Sequence, residues 1–221
     1  MPRSTGNKRL LRFFLSTLAC LCLLALLTLG IIYQEFGPVE VSSIEMRKVR
    51  EAGIIAEFFY PKGSKKLPIV ISLAGSGGGM LEDKDMQLLA LEGYAVLSLA
   101  YFKMEDLPNK LEEIPLEYFK QAIGWVSEQP VADPNKIIVL GISRGAELAL
   151  LLASVYPQIK GVIAFAPGNI ILPNAVDIGD STPSHSSWTL AGKPFPFAPL
   201  QELQADNSKP IIPSLFATAL T

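Results

Sequence analysis

Gly141-Ile142-Ser143-Arg144-Gly145 sets a serine between two glycines, each two residues away. A hydroxyl is a weak nucleophile unless the chain presents it at a sharp turn beside a base, and Gly-x-Ser-x-Gly is the pattern of a strand-to-helix turn that does so. The pattern alone is weak, and its position gives it weight. It follows the apolar run Lys136-Ile137-Ile138-Val139-Leu140 and opens the alanine- and leucine-rich stretch Ala146 to Tyr156. Such a turn forces the serine into a strained backbone conformation, and a Cβ at either glycine would meet a neighbouring strand or helix. Ser143 is therefore expected at the C-terminal edge of a sheet, at a helix N-terminus that favours developing negative charge.

Attack on a carbonyl also needs preorganised N–H donors for the oxyanion. One is expected from the backbone of Arg144 and the other from Gly75 or Ser76, in the run Gly75-Ser76-Gly77-Gly78-Gly79. That run could instead cradle phosphate, but no Gly-Lys-Ser/Thr follows it, and Gly75-x-Gly77-x-x-Met80 departs from the dinucleotide pattern at its last position. His185, the single histidine, lies in Ser184-His185-Ser186-Ser187-Trp188. It could serve as the base only if that loop folds back on Ser143, and the plainer reading is a surface histidine. Asp177, Asp180 and Asp206 are acid candidates by elimination. Glu147, one helical turn beyond Ser143, is expected to steady the elbow, while Trp188, Phe195 and Phe197 either line an acyl pocket or pack a cap. No metal or cofactor is implied.

The elements that must position these groups alternate. Val39 to Met46 and Gly53 to Tyr60 read as two strands joined through the charged stretch Arg47 to Glu51. Leu67 to Ala74 is a buried strand running into the glycine loop, Met80 to Glu92 has helical spacing, and Tyr94 to Ala100 is a second apolar strand. A helix over Leu116 to Glu128, the strand before the elbow, the helix after it and a strand at Gly161 to Ala166 continue the rhythm. Near-continuous apolar strands alternating with helices mean an α/β fold with a mostly parallel sheet covered on both faces. From Pro167 to Pro210 the chain is proline-rich and cap-like, with no convincing strand.

The 221 residues carry 19 Lys+Arg against 21 Asp+Glu, a net charge of −2, which lacks the concentrated basic surface that nucleic acid requires. The basic residues Arg3, Lys8, Arg9 and Arg12 all fall in the first 12 residues, so the remainder is more acidic still. Phe13 to Tyr33 contains no charge and is long enough as a helix to cross the roughly 30 Å hydrocarbon core of a bilayer. Residues 13–33 are therefore expected to be a transmembrane helix, with residues 1–12 in the cytoplasm and the domain at 38–221 on the opposite side. A cleaved signal peptide ending near Thr28-Leu29-Gly30 is the competing reading, although its apolar core is usually about 7–15 residues. A lipoprotein site at Cys20 is weaker. Both cysteines, Cys20 and Cys22, lie inside the apolar run, so the rest of the chain has none with which to form a disulfide.

Several of these stretches together resemble the catalytic domain of the acyl-CoA thioesterase and bile acid-CoA:amino acid N-acyltransferase family. They are Gly75-Ser76-Gly77-Gly78-Gly79-Met80-Leu81-Glu82, Leu99-Ala100-Tyr101-Phe102 with Glu105-Asp106-Leu107-Pro108, Leu116-Glu117-Tyr118-Phe119, and Leu140 to Leu148. The resemblance implies an α/β-hydrolase fold, acyl-CoA or other acyl ester substrates, Ser143 as nucleophile in the thioesterase manner, and an Asp and a His supplied late in the chain. Two departures stand out. Larger members carry an N-terminal β-sandwich domain where this chain has its apolar segment. The family's Asp and His each follow a late strand, and neither the acids after Ser143 nor His185 does so here, so the expected domain is C-terminally incomplete and the expected activity low, an inactive binding module being the alternative.

Overall fold

The computed structural model describes residues 23–24, 27–28, 43–174 and 185–198. The apolar run at 13–33 lies almost wholly outside them, as do Asp177, Asp180 and Asp206. Among the described residues no helix is long and apolar enough to cross a membrane.

A six-stranded sheet carries the fold. Its strands are β1 (Ile44–Val49), β2 (Ile55–Pro61), β3 (Leu67–Leu73), β4 (Ala95–Ala100), β6 (Ala132–Ile142) and β7 (Ile159–Phe165), and their spatial order is β1-β2-β4-β3-β6-β7. β2 runs antiparallel to both β1 and β4, while β4, β3, β6 and β7 are mutually parallel. Helices α1 (Asp83–Leu91), α2 (Leu116–Ser127) and α3 (Arg144–Val155) supply the crossovers and cover the faces. The larger core gathers Phe58, Ile69, Ile71, Leu97, Leu99, Phe119 and Leu148, and the smaller packs Val70, Val96 and Leu140 against Met86 and Ala90 of α1. Apolar residues on both sides of β3 and β4 are what two covered faces require.

Two expectations need correction. The charged stretch after Met46 is not the hairpin connection: Arg47, Lys48 and Val49 continue β1, and the turn lies at Arg50–Ile54, where Ala52 and Gly53 adopt positive φ of 52° and 72°. β1 lies at the end of the strand order, and an outer strand tolerates charge on its exposed positions, which discourages pairing with other chains. The segment after Pro167 is not without strands. β8 (Trp188–Leu190) pairs in parallel with the short β5 (Ile114–Pro115) and antiparallel with β9 (Lys193–Pro194), forming a separate three-stranded sheet.

Among the described residues β7 pairs only with β6. Its side chains Ile163 at 42% and Phe165 at 56% are exposed, while Val162 packs partly against the core. Alternation along the strand sends Val162 to one face and Ile163 and Phe165 to the other.

Candidate active site

β6 ends at Ile142 and α3 begins at Arg144, leaving Ser143 alone at the junction. Its φ of 55° and ψ of −115° put a non-glycine residue in a costly region that persists only where the surroundings impose it. They do so through backbone hydrogen bonds. The Ser143 N–H donates to the Phe165 carbonyl at 2.8 Å, and its own carbonyl accepts from Ala146 at 2.9 Å and Glu147 at 3.1 Å. The residue is exposed while Arg144 to Ala149 are buried. The turn thus lifts one hydroxyl-bearing residue out of an otherwise buried element.

The flanking glycines are sterically required. A Cβ on Gly141 would stand 2.1 Å from the Gly145 carbonyl oxygen, and one on Gly145 would stand 2.4 Å from the carbonyl oxygens of both Leu73 and Ala74. Gly75 approaches the same point from β3, where a Cβ would lie 3.1 Å from the Ile142 oxygen and 3.3 Å from the Ser143 Cβ. The glycine loop and the elbow are therefore neighbours, as their expected partnership demands. Farther along, the N–H of Gly78 donates to Gly75 O at 3.1 Å and that of Gly79 to Phe102 O at 3.0 Å, so those two donors are committed. The loop's base is tied to β4's end by the Tyr101 hydroxyl, which donates to Ala74 O at 2.5 Å. Burial pushes the Tyr101 pKa well above its ordinary value, keeping the phenol neutral as a donor.

Beneath Ser143 lies a buried ion pair. Arg144, 7% exposed, donates from Nη1 to Glu147 Oε2 at 2.6 Å. Its Nη2 faces the carbonyls of Leu172 at 2.8 Å and Pro173 at 3.1 Å and the hydroxyl of Ser187. Glu147, 5% exposed, also accepts from the Leu172 N–H at 3.2 Å and from the Trp188 indole N–H at 2.8 Å. Burial pushes the Glu147 pKa up, and the Arg144 charge with these two donors opposes that shift. The expected steadying role of Glu147 is what its contacts describe. The side-chain partnership of Arg144 was not foreseen, since two of its four acceptors are backbone carbonyls, although the three-residue Arg–Glu spacing on a helix was a legible signal.

His185 is placed elsewhere. Half-exposed at 47%, it has Nε2 3.8 Å from Glu112 and Nδ1 3.9 Å from Glu113, and no hydrogen bond joins it to Ser143 among the described residues. Its N–H donates to Asn174 Oδ1 at 3.1 Å, and its carbonyl accepts from the Asn174 N–H at 2.8 Å. Trp188 does not line a pocket: it is fully buried between Tyr101 and Phe119. Phe195 and Phe197 do, in a groove of about 520 Å³ beside α3 that also includes Leu150, Leu151, Ile170 and Ile171.

A parallel sheet with an antiparallel second strand, interrupted by a strained serine at a strand-to-helix elbow, defines an α/β-hydrolase-like protein. Within that class, residues 114–203 match the family model described as BAAT / Acyl-CoA thioester hydrolase C terminal, the same family that the sequence motifs resemble. Mouse acyl-coenzyme A thioesterase 5 is 42% identical over 116 residues, covering 52% of this chain and 27% of that protein. Mouse acyl-coenzyme A thioesterase 1 is 36% identical over 134 residues, 61% of this chain and 32% of that protein. The chain thus spans about a quarter to a third of the length of these curated relatives. Among solved structures, a dienelactone hydrolase-like promiscuous phosphotriesterase from metagenomic libraries aligns with a TM-score of 0.47 at 22% identity, over 61% of this chain and 63% of that one.

Proposed function

We propose that this chain is an acyl thioester or carboxylic ester hydrolase domain in which Ser143 is the nucleophile. The observation that carries the reading is the Ser143 backbone, held at positive φ, exposed, and wedged against Gly75. Ser143 Oγ attacks the acyl carbonyl and loses its proton to a base. The resulting oxyanion is met by the N–H of Arg144, which as the first helical residue has no carbonyl one turn before it, and by the N–H groups at Gly75 and Ser76. Collapse expels the thiolate or alkoxide, and water hydrolyses the acyl-enzyme. The relatives' names, acyl-coenzyme A thioesterases, support a thioester of coenzyme A as the substrate class.

The contacts of His185 with Glu112 and Glu113 favour a second reading, an acyl-binding module with a slow or idle serine. A fluorophosphonate probe and acyl-CoA turnover, applied to the same preparation, separate the two. We expect covalent labelling that disappears in Ser143→Ala. Labelling that persists unchanged in that variant removes Ser143 from the mechanism, and labelling without turnover selects the second reading.

We also propose that residues 13–33 anchor the chain in a bilayer with its N-terminus in the cytoplasm, on the strength of the uncharged run and the basic residues ahead of it. Coenzyme A thioesters are cytoplasmic, whereas this topology carries Ser143 across the membrane, where a different acyl ester would be its substrate. A reporter fused after Thr221 is expected to be active on the far side, and cytoplasmic activity would refute the orientation.

A further inference from the structure

The side chain of Arg144 makes a set of contacts that oxyanion binding by its backbone does not require. One guanidinium reaches the first turn of α3 through Glu147 and, on its other side, two carbonyls and a hydroxyl drawn from two chain segments, 172–173 and 187. Glu147 repeats the pattern, joining α3 to the Leu172 N–H and the Trp188 indole. The two segments are in turn tied to each other by the bridge between Pro173 and Ser186 and by both bonds between Asn174 and His185.

We infer that Arg144 is a positioning residue whose side chain locks the start of α3 to the strap formed by residues 171–174 and 185–188, and so fixes the N–H that its own backbone offers to the oxyanion. This rests on Ser143 being the nucleophile. The argument is geometric. Arg144 is the first residue of the helix, so any roll or translation of that first turn moves its N–H and its Cβ together. That movement is limited by Nη2, which is held on the strap, while Nη1 is braced against α3 itself through Glu147. A donor that must meet charge appearing only in the transition state is effective when it needs no rearrangement at that moment. A planar fork can hold such a bridge, whereas an ammonium at the end of a lysine is a point charge that cannot span both sides. The guanidinium Nε is buried without a hydrogen-bond partner, so the group is oriented by its two terminal nitrogens and not by the greatest possible number of bonds. A buried ion pair is weak evidence for stability, and a positional role accounts better for its presence one residue from the reactive serine.

The test measures fluorophosphonate inactivation of the full chain at several probe concentrations, which separates probe binding from the maximal rate of the covalent step. Arg144→Lys keeps the charge and is expected to lower the maximal rate about 100-fold, the cost of roughly 1 Å of misplacement, while half-saturation by probe stays unchanged. A merely structural residue would lower the melting temperature without altering the maximal rate of the folded fraction. Ser187→Ala removes one of the acceptors on the strap at small structural cost and is expected to give a lesser fall in the same rate. It decides the matter if Arg144→Lys does not fold. Folded variants that label Ser143 at the wild-type maximal rate would overturn the inference and leave the nucleophile intact. A wild-type chain that is not labelled at Ser143 would overturn the nucleophile first, and this role with it.

Discussion

Gly145→Ala is expected to unfold the sheet-bearing unit. The added methyl would lie 2.4 Å from two backbone oxygens, those of Leu73 and Ala74, at the end of the central strand β3. A clash with the far end of a side chain relaxes by rotation, but these atoms belong to a strand paired on both sides, to β4 and to β6. Relief would require α3 to lift off the sheet, exposing Ala146, Leu148, Ala149 and Leu152, all buried. The loss should therefore reach the exceptional range above about 4 kcal/mol. That is a large share of the roughly 5–15 kcal/mol that holds a domain together, and nearly all of it at the lower end. Gly77→Ala is the control, because nothing lies within 4 Å of the position its Cβ would take, and it should stay within about 0.5 kcal/mol of the wild type. Urea midpoints of the two variants check this. A Gly145→Ala chain that unfolds at the wild-type midpoint would show that the elbow is looser than its geometry.

What could be read from the sequence follows the range over which each feature is encoded. β3, β4 and the second half of β6 were legible because a strand buried on both faces writes itself as an unbroken apolar run, and β7 carries such a run although Ile163 and Phe165 are exposed. The elbow was legible because its requirements fall within five residues. β1 was misplaced at its end because an outer strand can carry Arg47 and Lys48 outward, and charge then looks like a turn. β8 and β9 were missed for a different reason. Three residues and two residues have no periodicity of their own, and what makes Trp188–Leu190 a strand is Ile114–Pro115, far away in the chain. The choice between pocket wall and cap packing for Trp188 stayed open for the same cause: its burial against Tyr101 and Phe119 depends on contacts that no local pattern records. Arg144 is the clearest instance at the site. Two of its side chain's four acceptors are the carbonyls of Leu172 and Pro173, and every residue has a carbonyl, so those two leave no trace in the sequence.

Glu147→Ala should be the second severe substitution, and its severity should come from what it strands. The carboxylate is the only anion in hydrogen-bonding contact with the Arg144 guanidinium among the described residues. It is also the acceptor for the Trp188 indole and the Leu172 N–H. Removing it leaves a buried cation without a counter-charge, and the buried Trp188 indole N–H and the part-buried Leu172 N–H without their acceptor, a loss of about 3–5 kcal/mol. Replacing both partners together, Arg144→Met with Glu147→Leu, removes the cation as well. Only neutral groups then remain unpaired, so the double variant should be more stable than Glu147→Ala alone, even though it carries one more substitution. That inversion separates a desolvated pair from an ordinary surface contact, whose loss would be about 1 kcal/mol or less and additive. Urea unfolding of the wild type, Arg144→Met, Glu147→Leu and the double completes the cycle, with Glu147→Ala measured beside them. Additive losses, or a Glu147→Ala chain within about 1 kcal/mol of the wild type, would mean that solvent reaches the pair. In that case the guanidinium could not hold the start of α3 as rigidly as the contacts around it imply.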